Sequence, residues 1–498
     1  MKRRDWFRVA AGGALAAVAR GQEALPEHPR DLVFPKLVYD PPDPAAHRHE
    51  LDAGAVAYLV EDHQLPLVTV SVTLRAGSYQ LPPESAGLAS FTGSQMRSGG
   101  AGARSARDFD EEAAFLATNL GSSMGSTSAQ ASVNCLAQNL DASLGMFFDM
   151  LKAPGFDAER LEIARSRALQ GLARRNDRLD GILGREFSRL LRGRHFTTVQ
   201  TTQASIQAIS RESMQQFHKR SFDPARMFFS VSGDFDTQDM IRRLNEALAE
   251  GWPSAQDDPG GIPAPSHEPV PGVFVVDKSS RDVNQSHVRL GHIGIQRDHP
   301  DAFKVRIMNS VLGGGGFTSR IMTRVRSDEG LAYSAYSRYQ PGTYYPGTFS
   351  AGFQSRNATC AQAAAILIEE IRRMQEGKVT PQELDTAKNY QVEIFPRFFA
   401  TAGQIAGTFA SDEFTGRPKD YWKTYRERIG DVSADDVLDA AQTHLHPDKL
   451  VILVVGARDA VLAGNPDRPE FRFESLAGDP GIRAIPLPDP VTMEYPEA

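Results

Sequence analysis

Ser210-Arg211-Glu212-Ser213 opens a helical pattern that closes on Phe222-Asp223-Pro224, and an apolar run from Met227 to Val231 then leads to Gly233 and Asp236. The same order returns 223 residues later. Ser433-Ala434-Asp435-Asp436 opens a helical pattern ending in Leu445-His446-Pro447, followed by the apolar run Leu450 to Val455, Gly456 and Asp459. Ser to Pro is 14 residues in both stretches, Pro to Gly is 9 and Gly to Asp is 3. Three matched intervals at one offset identify an internal duplication. Ser at each start, with Asp436 three positions on in the second copy, suits a helix N-cap.

Outward from this repeat, strands and helices alternate. Leu67 to Leu74 places Val68, Val70, Val72 and Leu74 on one face, the period of a half-buried strand. Ser105 with Asp108 predicts a helix running to about Asn119, with Gly121 as its left-handed stop. A polar alternating strand is expected from Ser122 to Leu136, an apolar-faced helix from Leu140 to Leu151, and a charged helix from Glu159 to Arg174. Hairpin-connected strands interrupted by helices predict an α+β fold: two duplicated mixed-sheet domains with helices packed on one face.

The chain has 498 residues, enough for about three ordinary domains or two large ones. Residues 47–252 and 273–460 are the expected domains. Between them lies a Pro/Gly-rich linker, 253–272; a Pro-rich arm, 20–46, precedes them and a tail, 461–498, follows. At 41% hydrophobic and 23% charged the chain is composed like a folded globular protein. Against 62 Asp and Glu there are 55 Lys and Arg, a net charge of −7 without a basic block, so a nucleic-acid partner is not expected. Two cysteines, Cys135 and Cys360, exclude a disulfide framework or zinc–thiolate knot.

Met1-Lys2-Arg3-Arg4-Asp5-Trp6-Phe7-Arg8, then apolar Val9 to Ala19 ending Ala17-Val18-Ala19, has the form of a signal peptide over residues 1–19. Arg3 and Arg4 are compatible with a twin-arginine route. No later stretch is long and apolar enough for a membrane helix. A periplasmic location is expected.

Arg75-Ala76-Gly77-Ser78, Glu84 and Gly87-Leu88-Ala89-Ser90-Phe91-Thr92-Gly93-Ser94-Gln95-Met96 resemble the segment that carries the inverted zinc motif of the insulinase/pitrilysin-type metallopeptidases. The processing-peptidase subunits and bacterial two-domain proteins belong to that family. Leu312-Gly313-Gly314-Gly315-Gly316-Phe317-Thr318-Ser319-Arg320, with Val325-Arg326-Ser327-Asp328-Glu329-Gly330-Leu331-Ala332-Tyr333, resembles its second signature. The resemblance spans about residues 45 to 460. The family's H-x-x-E-H places two zinc-binding imidazoles and a general-base Glu on one helix. Here those positions are Ser90, Gly93 and Ser94. A further Glu ligand is expected about 77 residues beyond the second His, which from Ser94 reaches Gly171. Neutral hydroxyls are weak zinc ligands, and glycine neither ligates nor moves a proton.

The resemblance makes Arg326 and Tyr333 the pair through which the second half reaches bound peptide near the zinc. Arg donates hydrogen bonds to carbonyls, and Tyr donates to an oxyanion. A helix end at Arg326 and a strand from Leu331 are expected; the bland alternative is a surface pairing of Arg326 with Asp328 or Glu329. No metal or cofactor is assigned to this chain. His444 and His446 read as exposed or capping, and His287 and His292 as opposite faces of a strand. Ser123 in Gly121-Ser122-Ser123-Met124-Gly125 lacks the strand–turn–helix context of a nucleophile elbow. Gly313 to Gly316 lacks the residues of a phosphate loop and reads as a turn or close backbone approach.

Two-domain family members pair into a chamber of four similar domains. A chain without zinc ligands is therefore expected to be the non-catalytic subunit of a periplasmic heterodimer. It would add Arg326 and Tyr333 to a homologous zinc-bearing partner acting on peptide, with zinc only in that partner. The alternatives are a peptide-binding or structural protein with no peptidase partner, and a peptidase with a divergent site.

Overall fold

Two six-stranded mixed sheets, equivalent in five of their strands, organise the chain, as a computed structural model describing residues 38–252, 260–279 and 283–496 shows; the end strands differ, β1 running antiparallel to its neighbour and β12 parallel to its own. The signal segment and the arm up to residue 37 lie outside the described residues, as do 253–259 of the linker. In the first sheet the strands are β1 (Arg48–Glu50), β2 (Val56–Glu61), β3 (Leu67–Leu74), β4 (Asn119–Met124), β5 (Ala129–Leu136) and β6 (Met227–Gly233), in spatial order β1-β2-β6-β3-β5-β4. The second contains β7 (Gly272–Asp277), β8 (Gln285–Ile293), β9 (Ala335–Gln340), β10 (Thr348–Arg356), β11 (Val451–Gly456) and β12 (Arg483–Ala484), in order β12-β7-β11-β8-β10-β9. β2 runs parallel to β6 as β7 does to β11, and β3 and β8 run antiparallel to those neighbours.

The first-half helices are α1 (Leu88–Ser98), α2 (Ala106–Phe115), α3 (Leu140–Lys152), α4 (Ala158–Ala173), α5 (Leu179–Arg192), α6 (Gln203–Ala208), α7 (Arg211–Ser221) and α8 (Thr237–Ala249). Those of the second half are α9 (Ala302–Asn309), α10 (Arg320–Met322), α11 (Cys360–Glu376), α12 (Pro381–Glu393), α13 (Ala402–Thr415), α14 (Tyr421–Gly430), α15 (Ala434–His444), α16 (Arg458–Ala463) and α17 (Phe473–Ala477). The repeat that opens the sequence reading falls on α7 and α15. Each is capped by its serine, Ser210 and Ser433, which accepts the N–H of the residue three positions on.

The α+β class is what the structure shows. In β3 the four predicted side chains are fully buried under the first half's helices, and Thr69, Ser71 and Thr73 face the other way. That second face is covered from the other half. α13 lies over β2 and β6: Phe409 packs on Tyr58 at 5.9 Å and Phe414 on Phe228 at 5.7 Å. Glu413 accepts from Arg48 (2.8 Å) and Tyr58 (2.6 Å). Conversely α5 buries Ile182, Leu183, Phe187 and Leu191 against Phe274, Val276, Val451, Leu453 and Val455 of the second sheet. Residues 179–192 and 402–415 are related by the repeat's own offset of 223. The halves therefore exchange equivalent helices, and Pro41–Ala498 forms one compact unit.

Local boundaries differ from the sequence reading. α2 ends at Phe115, and the left-handed residue is Ala117 (φ 50°), not Gly121, because Asn119 already enters β4. The single strand expected over 122–136 is a hairpin of β4 and β5. Residues of the tail pack: Arg483–Ala484 pairs with β7, and Tyr495 donates to the fully buried Glu186 at 2.9 Å. Cys135 and Cys360 are buried free thiols; burial raises both, Cys360 to about 12.

Candidate functional site

Ser90 and Ser94 lie on the exposed side of α1, and Gly93 on its buried side. Both hydroxyls are occupied within the helix: Ser90 Oγ donates to Gly87 O at 2.9 Å and Ser94 Oγ to Phe91 O at 3.1 Å. Gly93 touches the backbone of β4. A Cβ there would stand 2.2 Å from Met124 N and 2.6 Å from the Ser123 carbonyl carbon, and Ser122 Oγ donates to Gly93 O at 2.6 Å. The base position of the motif is thus closed by the strand itself. Gly171, on α4, has nothing within 4 Å of a would-be Cβ, so that site has space but no ligand. These four residues do not fit a zinc ion.

Next to the degenerate helix lies β4, the last strand of its sheet among the described residues; α1 packs along it, and Arg97 Nε donates to its Leu120 O at 3.2 Å. A cleft of about 750 Å³ opens beside it, lined by Ser71, Thr73, Ser123 and Gln130 of the first sheet, Tyr344 of the β9–β10 loop and Phe414 of α13. Its walls are mostly small side chains, with three aromatic ones, Phe228, Tyr344 and Phe414. Ser123 lies within β4, after a helix and before a hairpin, so no nucleophile elbow forms.

Arg326 and Tyr333 do meet. A π-helical turn over Thr323–Asp328 presents Arg326, whose guanidinium carbon lies 4.9 Å from the centre of the Tyr333 ring and 4.7 Å from that of Phe317. Tyr333 is 84% and Phe317 71% exposed, so the cluster faces solvent. The strand starts at Ala335, not Leu331, which leaves Tyr333 in the bend before it and free of the sheet. The pairing with Asp328 or Glu329 does not form. Glu329 accepts from Gln362, and among the described residues Arg326 has no ion-pair partner. Its neighbours are tied down: Arg320 bonds Glu383 at 2.6 Å, and Arg324 bonds the buried Glu370 at 2.8 Å. The Arg320 guanidinium holds the Glu383 carboxyl down at about 2.

Phe317 is the member of this cluster that sequence reasoning missed. Its one signal is position, immediately after four glycines. Gly313 belongs to a π-turn in which a Cβ would come 2.4 Å from Ser337 N, so the loop needs glycine to lie against β9. No hydrogen bond, ion pair or ring contact among the described residues joins the Arg326 cluster to α1 or α4.

His444 corrects its expectation. It is buried, and its Nε2 donates to Asp301 at 2.8 Å.

The comparisons agree with this architecture. Residues 56–192 match the model of the insulinase family (peptidase family M16), and 208–390 match that of the peptidase M16 inactive domain. Together they cover more than half of the chain, which belongs to the insulinase family and lacks its zinc motif. The non-peptidase homolog YmxG of Helicobacter pylori is 24% identical over 421 residues, 82% of this chain and 94% of that protein. The peptidase M16 inactive domain from Pseudomonas fluorescens superposes with a TM-score of 0.72 at 23% identity, covering 82% of this chain and 97% of that one. The periplasmic protease PqqL from Escherichia coli gives 0.67 at 15% identity over 85% of this chain. This chain spans 48% of PqqL's length. No helix among the described residues is long and apolar enough to cross a membrane.

Proposed function

We propose that this chain is the non-catalytic subunit of a periplasmic zinc metallopeptidase built from two unlike subunits, with a homologous zinc-bearing partner. The carrying observation is the asymmetry of the two motifs. Ser90, Gly93, Ser94 and Gly171 offer no metal ligand, while Arg326 and Tyr333 are assembled and solvent-facing. In the pair, Arg326 donates to carbonyls of the bound peptide, and the Tyr333 hydroxyl donates to oxygen near the partner's metal. The end position of β4 in its sheet and the cleft beside it suit an extended peptide added as a further strand. The name of the H. pylori relative supports inactivity, and the match to half of PqqL supports pairing of two such chains. The periplasmic description of PqqL is in line with the signal-peptide form of residues 1–19.

The test is co-purification with a homologous subunit that carries H-x-x-E-H, assayed on quenched peptides. Hydrolysis is expected from the pair and not from either chain alone. Peptidase activity of this chain by itself, lost on chelation, overturns the proposal; failure to assemble with any such subunit favours the peptide-binding alternative.

A further inference from the structure

Away from the degenerate helix, three potential ligands converge in the second half. His299 and Asp301 lie in the turn before α9, and His444 ends α15. One ligand atom from each lies within 4.8 Å of the others. His444 Nε2 is 2.8 Å and His299 Nδ1 3.8 Å from the same oxygen, Asp301 Oδ2. The two imidazoles stand edge to face, 85° apart with centroids at 5.0 Å. We infer that His299, Asp301 and His444 form a binding site for a zinc-class divalent ion, with water as the fourth ligand.

The spacing suits a metal, and two hydrogen bonds exchange for ligation. Zinc bonds of about 2.0–2.2 Å in a tetrahedron put ligand atoms about 3.4 Å apart, between the two observed separations. Two imidazoles and one carboxylate are a borderline donor set that suits zinc over magnesium or calcium. Asp301 occupies the N-cap position of α9 but makes no side-chain cap; its carboxylate is turned to the histidines instead. His299 Nδ1 accepts the Asp301 N–H at 3.1 Å, so its lone pair must leave that hydrogen bond, by rotation of the exposed ring, to bind the ion. His444 Nε2 is a donor in the metal-free chain and becomes a ligand when its proton moves to Nδ1. Lys304 opposes binding only in part: its ammonium pairs with Asp436 at 2.8 Å and approaches the other oxygen, Oδ1, at 3.7 Å. Asp301 and His299 are partly exposed, which leaves an entry path.

Such an ion ties the turn before α9 to the end of α15 and has no part in peptide hydrolysis. Metal found in this chain would then not signal a working peptidase. This inference is independent of the proposed pairing, since it is read from binding to the isolated chain.

The experiment is calorimetric titration of zinc chloride into the untagged, EDTA-stripped full-length protein, alongside His299→Ala, Asp301→Asn and His63→Ala. His299→Ala keeps the His444–Asp301 bond; its metal-free unfolding midpoint is expected to match wild type. One equivalent should bind wild type and His63→Ala alike, and His299→Ala and Asp301→Asn at least about tenfold more weakly. Absence of saturable binding, or binding by His299→Ala and Asp301→Asn as tight as that of wild type, overturns the inference.

Discussion

Arg326, half-buried, lies over the ring of the exposed Tyr333, with 4.9 Å between the guanidinium carbon and the ring centre. An exposed cation–π contact contributes about 0.5–1 kcal/mol, too little to explain the cluster as a stability device. The arrangement holds the guanidinium over two aromatic faces without neutralising it, and leaves its N–H groups for a peptide.

Arg326→Ala is accordingly expected to lower kcat/KM of the assembled pair by about 10–100-fold, in the range of a lost charged hydrogen bond of about 1.5–3 kcal/mol. Assembly, read by size-exclusion chromatography, and the unfolding midpoint should stay near wild type. Phe317→Ala, which loosens the stack but keeps the charge, should cost less than Arg326→Ala.

Gly93 and Gly171 should respond oppositely to alanine. At Gly93 the added Cβ meets the β4 backbone at 2.2 Å, so Gly93→Ala should lower the unfolding free energy by about 1–3 kcal/mol. At Gly171 nothing is in the way, and helix propensity should make Gly171→Ala stabilising by about 0.5–1 kcal/mol. Urea titration decides both. For the same reason, restoring H-x-x-E-H at positions 90, 93 and 94 should destabilise the chain without producing a peptidase.

The exchange of α5 and α13 predicts that the halves unfold together. Phe187→Ala removes a ring from the second sheet and Phe409→Ala one that packs on Tyr58 of the first. Each is expected to cost about 3–5 kcal/mol and to shift a single transition. Two separated transitions, with each variant moving only one, would contradict the interlock.

His218 should make stability fall on mild acidification. It is buried beside Phe156 and Phe222, and its Nε2 donates to Leu151 O at 2.8 Å. Burial lowers its pKa to about 4 from an ordinary 6.5. Between those values the unfolded chain holds a proton that the fold refuses, so stability declines as pH falls from 6.5 toward 4. His218→Phe, though less stable at neutral pH because it leaves Leu151 O unpartnered, should reduce that slope by about 1.4 kcal/mol per pH unit. Urea midpoints at several pH values measure it.

Much of this was legible in one dimension. The alternation in β3 and the capped repeats on α7 and α15 are short-range patterns, written by the geometry of strand and helix. The empty metal positions are equally legible, because a ligand set is a matter of which side chains exist. The boundaries near Ala117 and Ala335 were less so. A left-handed alanine and a late strand start depend on how β4 and β9 are drawn against their neighbours.

Residue identity and spacing alone determined that the chain is a duplicated α+β protein without the family's zinc ligands. The tertiary structure decided which sheet each helix covers, that Phe317 joins Arg326 and Tyr333, and that His444 meets Asp301 across 143 residues. The apolar stripe of α5 announces that one face must be buried but carries no address. Two sheets that share a five-strand core offer similar surfaces, and only packing of the whole chain selects between them.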